Sequence, residues 1–397
     1  MLRCQGLWRG IHAWGDTDAW GFAVGVRTRI AAVAALALAG SVLVAAPAEA
    51  GKKYGTTIKP IVSGLTSPRG VATFGGKIIY SVGDGSVYEA WAHNGKVIRK
   101  LGQVQGGFPP AIDTNAWGTT YALTGGGAPA EELPPGAATL YRLRPGKAPV
   151  KVADIGKYQI KDGDPYDLEG KPTDTNPYGL AALRDGTVLV ADAGNNDLLR
   201  VWPNGTIKTV ARLKPRVVPV PTGLPATDPE GNPLPPAGTP IPSEAVATSV
   251  TVGSDGYWYV GELRGFPATP GKSQIWRIKP GSYNAVCDPA KPHTGKCTRY
   301  ADGYTSIVDL AGGPKGTLAV VELAKVSWLQ WELGGSPIGS LYLQFPGRWH
   351  KAGVKKELAP GKLTLPGGTA ISRSGKVYVT SPLFGPPGAV YQVVAKH

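Results

Sequence analysis

Methionine is all but missing from this 397-residue chain: the single Met is residue 1. Cysteine (3), histidine (5) and phenylalanine (6) are scarce, and only 18% of residues are charged. Three Cys are too few for a disulfide-dense miniprotein, and the pair at 287 and 297 has only His293 beside it, too few soft ligands for a zinc site. There is no Gly-x-Ser-x-Gly elbow and no His-Glu-x-x-His. His93, His293, His350 and His397 share no repeat position, so a histidine-based triad has no support. Basic residues form no block denser than 351–356, so the formal charge of +14 reads as diffuse, suited to anionic polymers and not to a nucleic-acid groove. The longest apolar run, 30–46, falls short of the ~20 residues a spanning helix needs.

What is abundant points one way. Gly (56) and Pro (37) alternate with Val, Ile, Tyr and Trp, and 42% of the chain is apolar. That is the composition of an all-β protein with many turns. Arg27 and Arg29 precede the apolar run, and Ala48-Glu49-Ala50 follows it, the layout of a secretory signal cleaved after Ala50. Residues 26–50 are therefore expected to be a signal peptide, and 1–25 a start assigned too far upstream, with no fold of its own. In an exported chain Cys287 and Cys297 read as a disulfide, and no membrane span is expected after cleavage.

A repeat organises residues 51–397. Asp185-Gly186 aligns with Asp255-Gly256, and six residues beyond each glycine stands a carboxylate, Asp192 and Glu262. The frame recurs at Gly316 with Glu322 and at Gly375 with Ser381, and weaker copies lie at 68–82 and 113–124, six in all. Each hairpin is followed by a third strand (198–202 or 274–278, for example) and, after a further turn, a fourth. Four short strands per unit predict a six-bladed β-propeller. The last unit lacks its fourth strand, while a strand at 57–62 precedes the first blade. Pairing these two edges would close the ring, giving an all-β propeller closed by an N-terminal strand on the last blade and expected to be a monomer.

At roughly 58 residues per unit the blades exceed compact repeats, and the surplus falls mostly on one face, in the links 154–175 and 211–245 and the loops 125–138, 263–272 and 323–338. Ten prolines between Pro215 and Pro242 suggest an extended cover there. Arg69, Tyr178, Asp192, Thr248 and Ser306 are candidate ligand-binding residues at the channel mouth on this face. Asn176, Glu262, Asp309 and Glu322 are candidate oxygen ligands for Ca²⁺, the one cofactor suggested, although a carboxylate after a blade's second strand can equally cap backbone donors. The acidic run Asp162 to Glu169 lacks EF-hand spacing and reads as a solvated loop.

Several segments resemble the ScyD/ScyE family of exported bacterial propellers. These are Gly-Leu-Thr-Ser-Pro-Arg-Gly at 64–70, Pro-Tyr-Gly-Leu-Ala at 177–181, Val-Ala-Asp-Ala-Gly-Asn-Asn-Asp-Leu-Leu-Arg at 190–200, and Gly-Glu-Leu at 261–263 with Gly-Phe-Pro at 265–267. The second and the Val-Ala-Asp piece are similar also to NHL and gluconolactonase-type propellers. The chain departs from the pattern in its first blade, where Val82 and Gly83 stand near the frame position of Asp192. The resemblance implies fold and export, with no catalytic residue to carry over. Two functions are expected from this reading: a binding scaffold of the cell envelope, recognising an unknown small molecule, envelope polymer or protein, or a Ca²⁺-assisted hydrolase of lactonase type.

Overall fold

The computed structural model describes residues 55–228 and 231–395; the expected upstream segment and signal peptide lie outside them. Among the described residues six sheets of four strands or more, antiparallel except for one added edge strand, are arranged as a β-propeller. The innermost strands are Val71–Phe74, Ala111–Thr114, Pro177–Ala182, Ala247–Val252, Ile307–Gly312 and Thr369–Ile371. Each touches the next, and the sixth touches the first, so the ring is closed.

Strand alternation places one side chain in two against each neighbouring blade, and the core is accordingly divided into inter-blade layers. Leu189, Val210, Trp258 and Trp276 pack between blades 3 and 4, Tyr121, Leu140 and Val190 between blades 2 and 3, and Tyr259, Tyr304 and Val320 between blades 4 and 5. The inner strands are also stitched by polar side chains around the channel. Asp113 accepts from Ala182 N–H (2.8 Å), Thr248 donates to Ile307 O (2.6 Å), Asp309 accepts from Thr369 N–H (2.7 Å) and Thr380 donates to Arg69 O (2.6 Å).

The N-terminal strand Thr56–Leu65 completes the last blade by pairing antiparallel with Gly388–Ala395, Thr56 facing Ala395. Pro60 sits at a register shift in this outermost strand, where its missing N–H costs no ladder bond.

Cys287 and Cys297 are disulfide-bonded, and the bridge joins two blades. Ala285–Cys287 adds a fifth strand to blade 3, parallel to Ile207–Leu213, while Cys297 opens the outer strand of blade 4, Cys297–Tyr304. The proline-rich link differs from a simple extended cover. Arg216–Pro219 pairs with Pro240–Ser243 as a ribbon, held to blade 4 by a bidentate Arg216–Asp302 pair (2.9 and 3.0 Å) and near blade 5 by Gln330 donating to Thr222 O (3.2 Å). Among the described residues no helix is long and apolar enough to cross a membrane.

Candidate functional site

Blades 3, 4 and 5 each begin with a residue whose carbonyl accepts from the N–H just past the second strand: Asn176 with Ala193, Val246 with Leu263, Ser306 with Leu323. A register shift follows in all three hairpins. It turns the repeated carboxylate away from the channel and aims the residue after it inward. Ala193, Leu263 and Leu323 therefore line a small cavity of ≈ 20 Å³, together with Tyr178, Thr248 and Val308 from the inner strands. That is room for about one water. Asn176, Val246, Trp328 and Glu332 complete the wall.

Of the residues expected here, Asn176, Tyr178 and Thr248 meet at this cavity. Arg69 lies against Tyr178, its guanidinium 4.0 Å from the ring centre and 5.1 Å from that of Phe108. It donates to Pro109 O (2.8 Å) and to Tyr178 O, so one buried side chain from blade 1 bridges blades 2 and 3. Ser306 is buried, its hydroxyl accepting from Trp328 N–H (2.9 Å) at the start of the short helix Trp328–Glu332.

Each of the three repeated carboxylates is occupied by donors of its own blade or of the link that leads into it. Asp192 accepts from the N–H groups of Asn176 (2.7 Å), Gly194 (3.1 Å) and Asn195 (3.3 Å) and from Thr175 and Gln159. Glu262 is paired with the buried Arg264 and accepts from Trp276. Glu322 accepts from Thr305 N–H (2.7 Å). Asp309 caps Thr369 on the neighbouring inner strand of blade 6, and burial pushes its carboxyl up to about 7 against the opposing pull of its backbone donors and Arg69. Among the described residues no three His, Cys, Asp or Glu side chains form a group that could hold a metal ion.

Around the cavity the surface is aromatic. Phe108, Phe266, Trp331 and Phe384 are partly exposed and pack on the cluster that contains Trp328 and Leu323. Trp331 stacks on Phe384 at 5.7 Å, and Phe384 leans on Phe108 at 6.1 Å. Val246, on the cavity wall, holds φ 57, a left-handed conformation costly for a β-branched residue. Its N–H is fixed by Asn196 Oδ1 (2.7 Å).

The acidic run lies within the 155–175 link, mostly exposed or half-buried but with Asp164 turned inward. Asp164 and Glu244 are buried and share the Asn196 amide (3.0 and 3.3 Å), and Leu168 N–H donates to Glu244 (2.9 Å). Desolvation, reinforced by the neighbouring carboxylates, raises Glu244 to about 7 and Glu169 to about 9. Glu244, Asn195 and Asn196 escaped sequence reasoning because the frame singles out a carboxylate after the second strand. It marks neither Glu244, before the first strand of blade 4, nor the Asn pair in the turn that follows the carboxylate. Leu263, Leu323 and Trp328 escaped because the bulge moves the channel-facing position by one residue; the apolar residue following each carboxylate was the available signal.

No protein-family profile and no curated protein matches the sequence. Among solved structures, the chain is similar to a PQQ-bound aldose sugar dehydrogenase from Streptomyces coelicolor, at 12% identity and TM-score 0.52, over 87% of this chain and 99% of that one. A glucose dehydrogenase gives 12% identity and TM-score 0.51 over 86% and 100%. A streptogramin B lyase structure gives 11% and TM-score 0.45 over 86% and 98%. At these identities the likeness shows the six-bladed propeller fold alone.

Proposed function

We propose that the protein is an exported binding scaffold that holds a ligand or partner through an apolar group seated on the aromatic mouth of its channel. The observation that carries this reading is that partly exposed Phe108, Phe266, Trp331 and Phe384 all pack on the apolar cluster whose Leu263, Leu323 and Trp328 wall the cavity. Aromatic side chains concentrate binding energy at interfaces. The strained backbone of Val246 on the same wall fits a site where conformation is held for a purpose other than packing. The signal-like layout of residues 26–50 and the disulfide support export, and the quoted motifs support membership of the ScyD/ScyE family. We take 51–397 as the mature monomeric unit.

A Ca²⁺-assisted hydrolase is the competing reading. It draws on Asp309, Arg69 and Tyr178 within one channel, with Asn176, Glu262 and Glu322 as the other oxygen ligands, and it requires the carboxylates to leave their capping partners. The scaffold reading asks nothing of them.

Site-specific photo-crosslinking tests the proposal. A crosslinker at Trp331 or Leu333, expressed in the native envelope, is expected to capture one defined ligand or partner. The same group at Val97, on the outer strand of blade 1, is expected to capture none. Equal capture at both places, or none at the mouth, would sink the reading, and a stoichiometric divalent ion in the purified chain would favour the hydrolase.

A further inference from the structure

The opposite mouth of the channel carries a larger concavity. Hairpin turns of blades 6, 1 and 2 surround a basin of ≈ 610 Å³, within the range of small-ligand pockets. Its chemistry is one-sided. Lys77, His93, Arg373 and Lys376 line it, and among the described residues no aspartate or glutamate does. Lys77 is paired with Glu89 (2.6 Å), but Glu89 also carries Arg99 (2.8 Å), so that cluster keeps a net positive charge. Among the described residues the head groups of Arg373 and Lys376 meet no carboxylate.

The uncharged part of the wall is also rich in donors. Asn115 is buried at 4% exposure, and its Oδ1 is taken by Trp117 N–H and Thr119 N–H (3.0 Å each). That fixes the amide with Nδ2 as its free end, and among the described residues Nδ2 has no partner. Gly75 and Gly76, both at positive φ in a tight turn, lie on the same wall with no backbone acceptor for their N–H groups among the described residues. A pocket with cations, an amide donor and free N–H groups but no carboxylate selects a ligand rich in acceptors and negatively charged. Phe74 and Tyr378 supply an apolar wall beside it.

We propose that this basin binds a polyhydroxylated anion, a sugar or polyol unit bearing carboxylate or phosphate, with Arg373, Lys376 and the Asn115 amide holding the anion. The site is independent of the aromatic mouth and of whatever binds there.

The test is equilibrium binding of three probes to the purified chain: an oligogalacturonate, a poly(glycerol phosphate) oligomer and neutral maltohexaose. At least one anionic probe should bind, more weakly as salt rises, and which one binds tells carboxylate from phosphate. Arg373→Ala with Lys376→Ala should weaken it by about tenfold or more. Asn115→Asp keeps the turn cap but replaces the donor by an acceptor, and should weaken binding in the same direction. A charge-matched control on the other face, Lys157→Ala with Lys161→Ala, should leave it within about twofold. The proposal is overturned if neither anion binds, if maltohexaose binds as well as they do, or if the control pair weakens binding as much as the basin pair. Unchanged melting of all variants secures the comparison.

Discussion

A buried charge with a single ion-pair partner is where one substitution tells most. Glu262 and Arg264 are 0% and 1% exposed, and Arg264 also donates to Ser243 O (3.1 Å) and Glu244 O (3.2 Å), tying the end of the proline-rich link to blade 4. Glu262→Gln preserves shape but leaves the guanidinium without its counter-charge. We expect a loss of about 3–5 kcal/mol in chemical denaturation, and Glu262→Gln with Arg264→Met together should cost less than Glu262→Gln alone. A single variant within 1 kcal/mol of the parent would show that solvent reaches the pair. The same residues show where sequence reading stops. Glu262 was legible as a special position because the frame repeats it. Its role was not, because the shift between Ala247 and Ser249 reverses which of two adjacent side chains faces the channel. Asn176, Tyr178 and Thr248, at the first strands of blades 3 and 4, line the small cavity together.

Elements borrowed between blades should set the order in which the molecule opens. The strand Ala285–Cys287 covers blade 3 but belongs to the blade 4 loop, and the Cys287–Cys297 bridge holds it there. Cys287→Ser should lower stability by about 2–3 kcal/mol, the cost of freeing a short loop, and should raise amide exchange in Ile207–Leu213 above that of the inner strands. Unchanged protection there would mean that the added strand needs no staple. The pairing of the cysteines was legible from export and spacing. That it joins two blades was not, because a parallel edge addition leaves no periodic mark. The 155–175 link makes a pH-dependent prediction. The folded carboxyls of Glu244 and Glu169 lie near 7 and 9, above their ordinary range near 4.3. The folded state therefore favours their protonated forms, so this contribution is fully present below about pH 4 and is lost as pH rises through 7 and 9. Protection factors for Leu168 and Glu169 amides, corrected for intrinsic exchange, should fall between pH 5 and 9, with Glu169→Gln flattening the profile. Lys171 opposes the shift at Glu169, and Arg212 opposes that of the adjoining Asp164, so a flat profile in the parent would show that these cations suffice.

For the whole molecule the ring closure is the decisive feature, and it was readable because two deficits matched: a final unit one strand short and an early strand with no blade of its own. The structure pairs them over Thr56–Leu65 and Gly388–Ala395. Without residues 51–65 the strand Gly388–Ala395 would present a hydrogen-bonding edge to solvent, an invitation to pair with other chains. Tyr391 and Val393 would also lose Ile58, which packs beside them on the same apolar cluster. We expect the truncation to aggregate and to unfold without a single cooperative transition. Loss of apolar cover alone would predict the same, so a rearranged chain is needed to separate the two causes. Thr56 faces Ala395 across an antiparallel pair, which places the start of the closing strand beside the end of the last one. A permutant in which 55–65 follows Ala395 through a short Gly-rich turn, with the new N-terminus at Thr66, keeps every strand pair and changes only connectivity. If the paired edge is what holds the ring, this permutant should be soluble, monomeric in sedimentation and within about 2 kcal/mol of the parent. An aggregating permutant would instead show that the covalent order of the N-terminal strand, entering before the first blade, is itself required to complete the propeller.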